Sequence, residues 1–70
     1  MTAKEKLELI ERVLQVKPNT LTEDTKLSTV QAWDSLTMLS LLVELTALKP
    51  DVQFDNLYTC ETVGEICNMI

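Results

Sequence analysis

The 70-residue sequence contains no histidine, and this absence excludes several classes of active site. A Ser–His–Asp triad, a histidine general base and most zinc sites all require an imidazole side chain. Cysteine is also scarce, because Cys60 and Cys67 are the only two and cannot build a disulfide-stabilised miniprotein. Without other ligands to complete a set, this pair is not expected to hold a metal ion.

Positive charge is limited, with six Lys and Arg residues against eleven Asp and Glu and a formal net charge of −5. A nucleic-acid backbone would be repelled by this balance, whereas basic patches on protein partners would be attracted. No segment approaches the ~20 consecutive apolar residues that span a bilayer, and the N-terminal segment lacks the apolar core of a signal peptide. We therefore expect a cytoplasmic protein that binds neither nucleic acid nor membrane.

The length of the chain favours one small domain, covering residues 1–70. A chain of this size buries only about 60% of its unfolded surface, so most of its apolar residues are needed for the core. Little remains for an internal active site, and a binding or carrier role is favoured over an enzyme. No useful run of strand-like alternation occurs, so the sequence predicts an all-α fold.

Hydrophobic periodicity predicts a first helix over residues 3–16. Thr2 and Glu5 have the spacing of a capping box, and Pro18 ends the pattern because proline cannot continue a helix interior. The long loop that follows has a length typical of functional or self-packed loops. Its predicted contacts with the core are Leu21, Leu27 and Val30, and Trp33 is expected to anchor it, with a partner-facing role for Trp33 as the alternative.

A second helix is predicted over residues 35–48, with Asp34 as its N-cap and Pro50 as its stop. At ~100° per residue, one side of this helix is a polar or small stripe and the opposite side is the predicted core. The stripe consists of Thr37, Ser40, Glu44 and Ala47, and the predicted core residues are Met38, Leu42 and Leu45. Leu36 and Val43 flank the stripe, where solvent should reach them.

The C-terminal segment is predicted to hold two further helical pieces. Asp55 is expected to cap a short turn, and Thr62 with Glu65 has the capping-box spacing that begins a last helix. The apolar face of that helix is formed by Val63, Ile66, Cys67 and Ile70. Cys67 is therefore expected to be a core residue.

Ser35 stands at the start of the second helix, directly after Asp34. It has no histidine base and no Gly-x-Ser-x-Gly elbow, so it is not expected to be a catalytic nucleophile. It is either an ordinary first-turn serine or a modification site, where an attached phosphodiester would meet free backbone N–H groups at the positive end of the helix dipole. In the second case Asp34 would help a partner enzyme hold the divalent cation that phosphoryl transfer needs.

The segments "LTEDTKL", "DSL" and "VQFDNL…TVGEI" together resemble an acyl carrier protein of the phosphopantetheine-binding carrier family. The resemblance covers nearly the whole chain and includes the helix order, the loop length and both proline stops. It implies a four-helix bundle with three main helices and one short helix. It also implies a 4′-phosphopantetheine arm, donated by coenzyme A and attached through its phosphate to Ser35 by a phosphopantetheinyl transferase, with Asp34 as the neighbouring motif residue.

The function implied by the resemblance is that of a freestanding, monomeric carrier without enzyme activity. The thiol of the arm would carry acyl groups as thioesters to the acyl-loading, condensing and transferring enzymes of fatty-acid, polyketide or other specialised-metabolite synthesis. Carriers of bacterial fatty-acid synthesis usually bear several acids along the second helix, and this chain has one. We therefore expect partner enzymes to bind through Leu36, Leu39 and Val43 more than through charge.

Two alternatives to an acyl carrier stay open at this point. Aminoacyl and peptidyl carriers usually show glycines just before the motif serine, where this chain has Ala32 and Trp33. An unmodified helical interaction module would use the same exposed aliphatic residues as a docking surface without any arm on Ser35.

Overall fold

The computed structural model describes residues 2–70, and helices are its main elements. They are α1 (Ala3–Leu14), α2 (Ser35–Leu48), α3 (Phe54–Tyr58) and α4 (Val63–Cys67), with a 3₁₀ turn at Leu27–Thr29. The only strand-like pairing within these residues is an isolated bridge between Lys26 and Thr62. The all-α fold with four helices is thus confirmed. No helix in the described part of the chain combines the length and the apolar character needed to cross a membrane.

Helix α1 begins with the predicted capping box. The Glu5 N–H donates to Thr2 Oγ1 at 3.2 Å, and the Thr2 N–H donates to the Glu5 carboxylate at 2.9 Å. The hydrogen bond from the Thr2 backbone N–H is the main cause that lowers the pKa of the Glu5 carboxyl below its ordinary value. The helix ends at Leu14 rather than at Val16, because Gln15 adopts the left-handed conformation (φ 58°) that commonly terminates helices.

Helix α2 has the predicted bounds, but its buried stripe is rotated from the predicted one. Leu45 is fully buried, as expected, and its fully buried neighbour one turn earlier is Leu41. Met38 and Leu42, which the helical wheel places in the core, are only half-buried. The reason is that α2 packs against both α1 and α3, so the residues that face the gap between those helices are the ones most enclosed.

The hydrophobic core draws on every helix and on the long loop. From the loop, Leu21 and Leu27 are buried and Val30 is half-buried, which confirms the predicted contacts. The remaining buried apolar residues are Leu9, Ile10, Leu14, Leu41, Leu45, Val52, Leu57, Val63, Ile66 and Cys67. A chain of this length thus uses loop side chains as well as helix faces to close its core.

A buried acid fixes the start of the loop against α1. Glu11 is only 5% exposed, and its carboxylate accepts the backbone N–H groups of Thr20 at 3.0 Å and Leu21 at 3.1 Å. A buried carboxylate is tolerated when hydrogen bonds replace its lost hydration. Glu11 therefore holds Leu21 in place beside the helix.

The second half of the loop is bound to the segment that leads into α4. Three backbone N–H groups along this contact donate to carbonyls of the other segment. The bonds are Leu27 N–H to Glu61 O, Val63 N–H to Thr25 O and Gly64 N–H to Glu23 O, each at 2.9 Å. They pair two stretches of chain that are far apart in sequence and thereby fix the course of the loop.

Gly64 allows this close approach. A Cβ atom at residue 64 would lie 2.8 Å from the carbonyl oxygen of Glu23, a distance that side chains do not tolerate. The same carbonyl accepts the Gly64 N–H, so it cannot retreat without weakening that bond. The single glycine of the sequence thus stands where the loop backbone meets α4.

The two C-terminal helices are five residues each, and their caps differ in part from those predicted. Asp55 is not the cap of α3: the N-cap is Gln53, whose N–H donates to the Asn56 side chain at 2.8 Å, and Asp55 lies in the first turn. In α4, Thr62 caps the Glu65 N–H at 3.3 Å as predicted. The Glu65 carboxylate accepts the Glu61 N–H, so the reciprocal half of a capping box with Thr62 is not made.

The end of α4 is joined to α1 by a lysine. Lys6 Nζ donates to the carbonyl oxygens of Cys67 at 3.2 Å and Ile70 at 2.7 Å. A cation at a helix C-terminus satisfies carbonyls that have no intrahelical donor and interacts favourably with the helix dipole. Cys67 itself is buried, which confirms the prediction made for it.

We predict that Leu41→Ala costs roughly 2–5 kcal/mol of stability, the range for a leucine truncated in a closed core. Leu42→Ala should cost clearly less, because its side chain is half-buried. Urea denaturation of both variants is the measurement. A larger loss for Leu42→Ala than for Leu41→Ala would mean that α2 is rotated differently from this description.

Gly64→Ala is predicted to destabilise the protein by about 1–2 kcal/mol, since the clash with the Glu23 carbonyl outweighs the gain in helix propensity. Amide hydrogen exchange should show where the strain is relieved, with faster exchange at the N–H groups of Leu27 and Val63. Unchanged stability and unchanged exchange at these amides would contradict the assigned contact.

Candidate functional site

Ser35 is exposed at the first position of α2, immediately after the N-cap. The Asp34 carboxylate accepts the Thr37 N–H at 3.0 Å, and Thr37 Oγ1 accepts the Asp34 N–H at 2.9 Å. This reciprocal pair confirms Asp34 as the N-cap and forms a capping box with threonine in place of the usual Glu or Gln. The first turn of α2, which carries Ser35, is therefore held by hydrogen bonds between Asp34, the residue before Ser35, and Thr37, two residues after it.

Thr37 has a structural role that the helical wheel does not predict. The wheel places it on the exposed polar stripe, yet it is half-buried and its hydroxyl donates to the Ala32 carbonyl at 2.6 Å. Its Oγ1 thereby links the end of the loop to the first turn of the helix. The Asp-x-x-Thr spacing is the sequence signal for this role, because the residue three positions after an N-cap is the one that reaches back.

The first turn of α2 suits a phosphate ester on Ser35. The first N–H groups of a helix have no intrahelical acceptor, and here the one at Thr37 is already bound to Asp34. The N–H groups nearest Ser35 lie at the positive end of the helix dipole, where a phosphodiester is electrostatically favoured. An exposed hydroxyl at this place would accept such a group without disturbing the core.

Trp33 fixes the loop just before the site. Its side chain is half-buried and packs on the core, which confirms the predicted anchor. The backbone N–H of Trp33 donates to the Val30 carbonyl at 3.1 Å. Together with Leu27 and Cys60, Trp33 lines an open groove of about 500 Å³. This groove lies between the loop and the segment before α4, and its other lining residues are Lys26, Ser28, Glu61 and Thr62.

The residues predicted to bind partners are all exposed on α2. The exposed fraction is 75% for Leu36, 51% for Leu39 and 70% for Val43. Their exposure is consistent with a docking surface, and their role stays a prediction. Within residues 2–70 there is no group of three or more His, Cys, Asp or Glu side chains that could together bind a metal ion.

Cys67 is buried in the fold and Cys60 is half-buried. Burial raises the pKa of the Cys67 thiol, with a smaller raising effect from Glu23. The pKa of the Cys60 thiol is also raised, by burial and then by the nearby Glu65 carboxylate, and its Sγ donates to the Asn56 carbonyl at 3.1 Å. A thiol that stays protonated is a weak nucleophile, so neither is suited to chemistry at neutral pH.

A comparison with protein families matches residues 7–70 to the family described as the phosphopantetheine attachment site. The chain belongs to this family. Searches of curated proteins and of solved structures give no match. The family assignment confirms the resemblance seen in the sequence and identifies the chain as a carrier domain of the type that binds a covalently attached 4′-phosphopantetheine. Domains of this kind interact with phosphopantetheinyl transferases and with biosynthetic enzymes.

We predict that the two cysteines of the carrier domain react slowly with iodoacetamide at neutral pH and faster in urea. The thiolate fraction is lower in the folded state because folding raises both thiol pKa values above the ordinary 9.0. Mass spectrometry of Cys60→Ala and Cys67→Ala, each retaining one thiol, separates the two rates. Equal rates in the folded and unfolded states would contradict the burial of these groups.

Proposed function

We propose that Ser35 is the attachment residue of the phosphopantetheine arm and that the carrier domain delivers acyl groups held on the arm as thioesters. The observation that carries this proposal is the position of Ser35: it is exposed, directly follows Asp34 and begins α2. Ser28 lies in the 3₁₀ turn and Ser40 lies inside α2, so neither other serine combines these three features.

The domain would act as the acceptor rather than as the catalyst of its own modification. The sequence holds no histidine, so the base that takes the Ser35 proton would come from the transferase. Asp34 would contribute a second time here. One of its carboxylate oxygens accepts from Thr37, and the other would help to hold the divalent cation used by the transferase.

An acyl cargo is favoured over an aminoacyl one by the residues around the site. Ala32 and Trp33 stand where aminoacyl and peptidyl carriers usually have glycine. Leu27, Trp33 and Cys60 contribute apolar walls to an open groove that an acyl chain could contact, and Trp33 precedes Ser35 by two residues. We propose a monomeric, non-enzymatic cytoplasmic carrier in fatty-acid, polyketide or another specialised synthesis.

An unmodified interaction module is the second candidate, and the exposure of Leu36 and Val43 is what favours it. Such a module would dock through these side chains and would need no group on Ser35. The two functions differ in one measurable property, which is whether the chain accepts an arm from coenzyme A.

Coexpression with a broad-specificity phosphopantetheinyl transferase, followed by intact-mass measurement, tests the proposal. We predict that the wild-type chain and Ser40→Ala gain the mass of one arm, whereas Ser35→Ala gains none. Ser35→Ala should keep its melting temperature, because the Asp34–Thr37 capping box remains. An arm on Ser35→Ala would refute the assignment, and a wild-type chain that is never modified would favour the interaction module.

A further inference from the structure

The hydroxyl of Thr37 binds two backbone groups that precede Ser35. Its Oγ1 donates to the Ala32 carbonyl at 2.6 Å and accepts the Asp34 N–H at 2.9 Å. A hydroxyl has one proton, and the Ala32 carbonyl is its nearest acceptor, because the carbonyl and Oδ1 oxygens of Asp34 are farther away, at 3.1 and 3.3 Å. A single side-chain oxygen of α2 thus joins the last residues of the loop to the first turn of the helix.

These two bonds are additional to the N-cap of α2. In the N-cap the backbone N–H of Thr37 donates to Asp34 Oδ1 at 3.0 Å, and any residue other than proline at this position would keep that bond. The bonds to the Ala32 carbonyl and the Asp34 N–H instead require a side chain that both donates and accepts. Asp34 is therefore held twice, by its carboxylate and by its backbone, and Thr37 makes both contacts.

Only one of the two carboxylate oxygens of Asp34 is bound within the described chain. Asp34 is exposed, and within residues 2–70 no hydrogen bond reaches its Oδ2 atom, whereas Oδ1 is bound to Thr37. Because the backbone and Oδ1 are both fixed, the position of Oδ2 next to Ser35 is fixed as well. An oxygen held in this way is available to a group that approaches Ser35 from outside the chain.

Transfer of the arm to Ser35 forms one bond at phosphorus and breaks another. The Ser35 oxygen bonds to the phosphorus of the pantetheine phosphate, and the bond from this phosphorus to the adenosine bisphosphate of coenzyme A breaks. The Ser35 proton passes to a base of the transferase, and the bonding electrons leave with the adenosine bisphosphate, whose charge the divalent cation of the transferase offsets. A carboxylate beside Ser35 can ligate this cation, as proposed above for Asp34.

We propose that Thr37 is a positioning residue for this transfer: its hydroxyl holds Asp34 so that Oδ2 meets the cation of the transferase beside Ser35. The inference rests on the proposed attachment at Ser35. Hydrogen-bond partners of metal ligands orient those ligands, and groups that are held in advance lower the cost of assembling the reactants. In this role Thr37 acts through Asp34 and not on the reacting atoms.

The test follows arm attachment by intact mass, with the purified apo chain, coenzyme A, MgCl₂ and a broad-specificity phosphopantetheinyl transferase. Thr37→Val keeps the branched shape of the side chain and the backbone N–H, and it removes only the hydroxyl. Thr37→Ser keeps the hydroxyl and removes the methyl group. Thr46→Val is the matched control, because Thr46 is another half-buried threonine of α2 whose hydroxyl donates to a backbone carbonyl, that of Val43 at 3.0 Å.

We expect kcat to fall about tenfold for Thr37→Val, at the lower end of the loss caused by removing a hydrogen-bond partner of a metal ligand. The KM for the carrier should change by less than about twofold, since positioning in the transition state is lost and binding is not. The Mg²⁺ concentration that gives half the maximal rate should rise for Thr37→Val. Thr37→Ser and Thr46→Val should match the wild type in all three quantities.

A double-mutant cycle shows whether the hydroxyl acts through Asp34. Asp34→Asn keeps a good N-cap residue but lacks the charge that favours the cation, so it should itself raise the Mg²⁺ requirement. In this background Thr37→Val should lower kcat by less than about threefold, because residues that act as one unit are not additive.

Amide hydrogen exchange gives a readout that needs no enzyme. The Asp34 N–H loses its acceptor in Thr37→Val and should exchange faster there, with no change in Thr37→Ser or Thr46→Val. An Asp34 N–H that exchanges at the wild-type rate in Thr37→Val would mean that the hydroxyl does not hold this residue, and it would overturn the inference.

Four kinetic outcomes would also overturn the inference while leaving Ser35 as the attachment site. They are a wild-type kcat for Thr37→Val, a loss for Thr37→Ser or Thr46→Val equal to that of Thr37→Val, an undiminished loss for Thr37→Val in the Asp34→Asn background, and a wild-type Mg²⁺ requirement for Asp34→Asn. The last of these can be measured even if Thr37→Val does not fold. A wild-type chain that accepts no arm under any condition would instead refute the proposed function on which the inference rests.

Discussion

Three backbone hydrogen bonds between residues 23–27 and 61–64 hold the loop on which the architecture depends. The connection from α1 to α2 contains one short 3₁₀ turn and a few local hydrogen bonds, so its course depends on bonds to distant segments as well. Pairing with the segment before α4 satisfies its backbone and directs Leu27 into the core. Gly64 makes the pairing possible, because any side chain there would meet the Glu23 carbonyl.

The same loop determines how Ser35, the proposed attachment residue, is presented. Glu11 holds its beginning, Trp33 anchors its end, and the Asp34–Thr37 capping box passes directly into α2. Ser35 is therefore exposed on a fixed helix start rather than on a mobile loop tip. A carrier gains from this division of roles, since the domain supplies a defined surface for enzymes to recognise and the arm supplies the reach.

The features that the sequence predicts correctly are those determined by neighbouring residues. Asp34 as N-cap, the bounds of α2 and the Thr2–Glu5 capping box all follow from spacings of a few positions. The end of α1 at Leu14 depends on the left-handed backbone conformation of Gln15, and the burial of Leu41 depends on the positions of α1 and α3 around α2. Periodicity within a single helix contains no information about either.

In the candidate site and its surroundings, too, some features follow from neighbouring residues and others from contacts between distant ones. Asp34 and Ser35 are recognisable in the sequence because their motif is contiguous, and the family match over residues 7–70 supports that recognition. The contact of Arg12 with Glu44 and the role of Gly64 join residues more than thirty positions apart in the chain, and neither is visible from a single sequence. Both become interpretable only once the helices and the loop are placed.

The central claim is that the arm is attached at Ser35, and peptide-level mass spectrometry of the modified wild-type chain tests it most directly. Proteolysis and fragmentation of the peptide that spans the start of α2 should place the whole added mass on Ser35. Fragment ions that contain Ser28, Thr37 or Ser40 but not Ser35 should carry no added mass, and peptides from the rest of the chain should be unmodified. An arm located on Ser28, Ser40 or any threonine would contradict this account of the site.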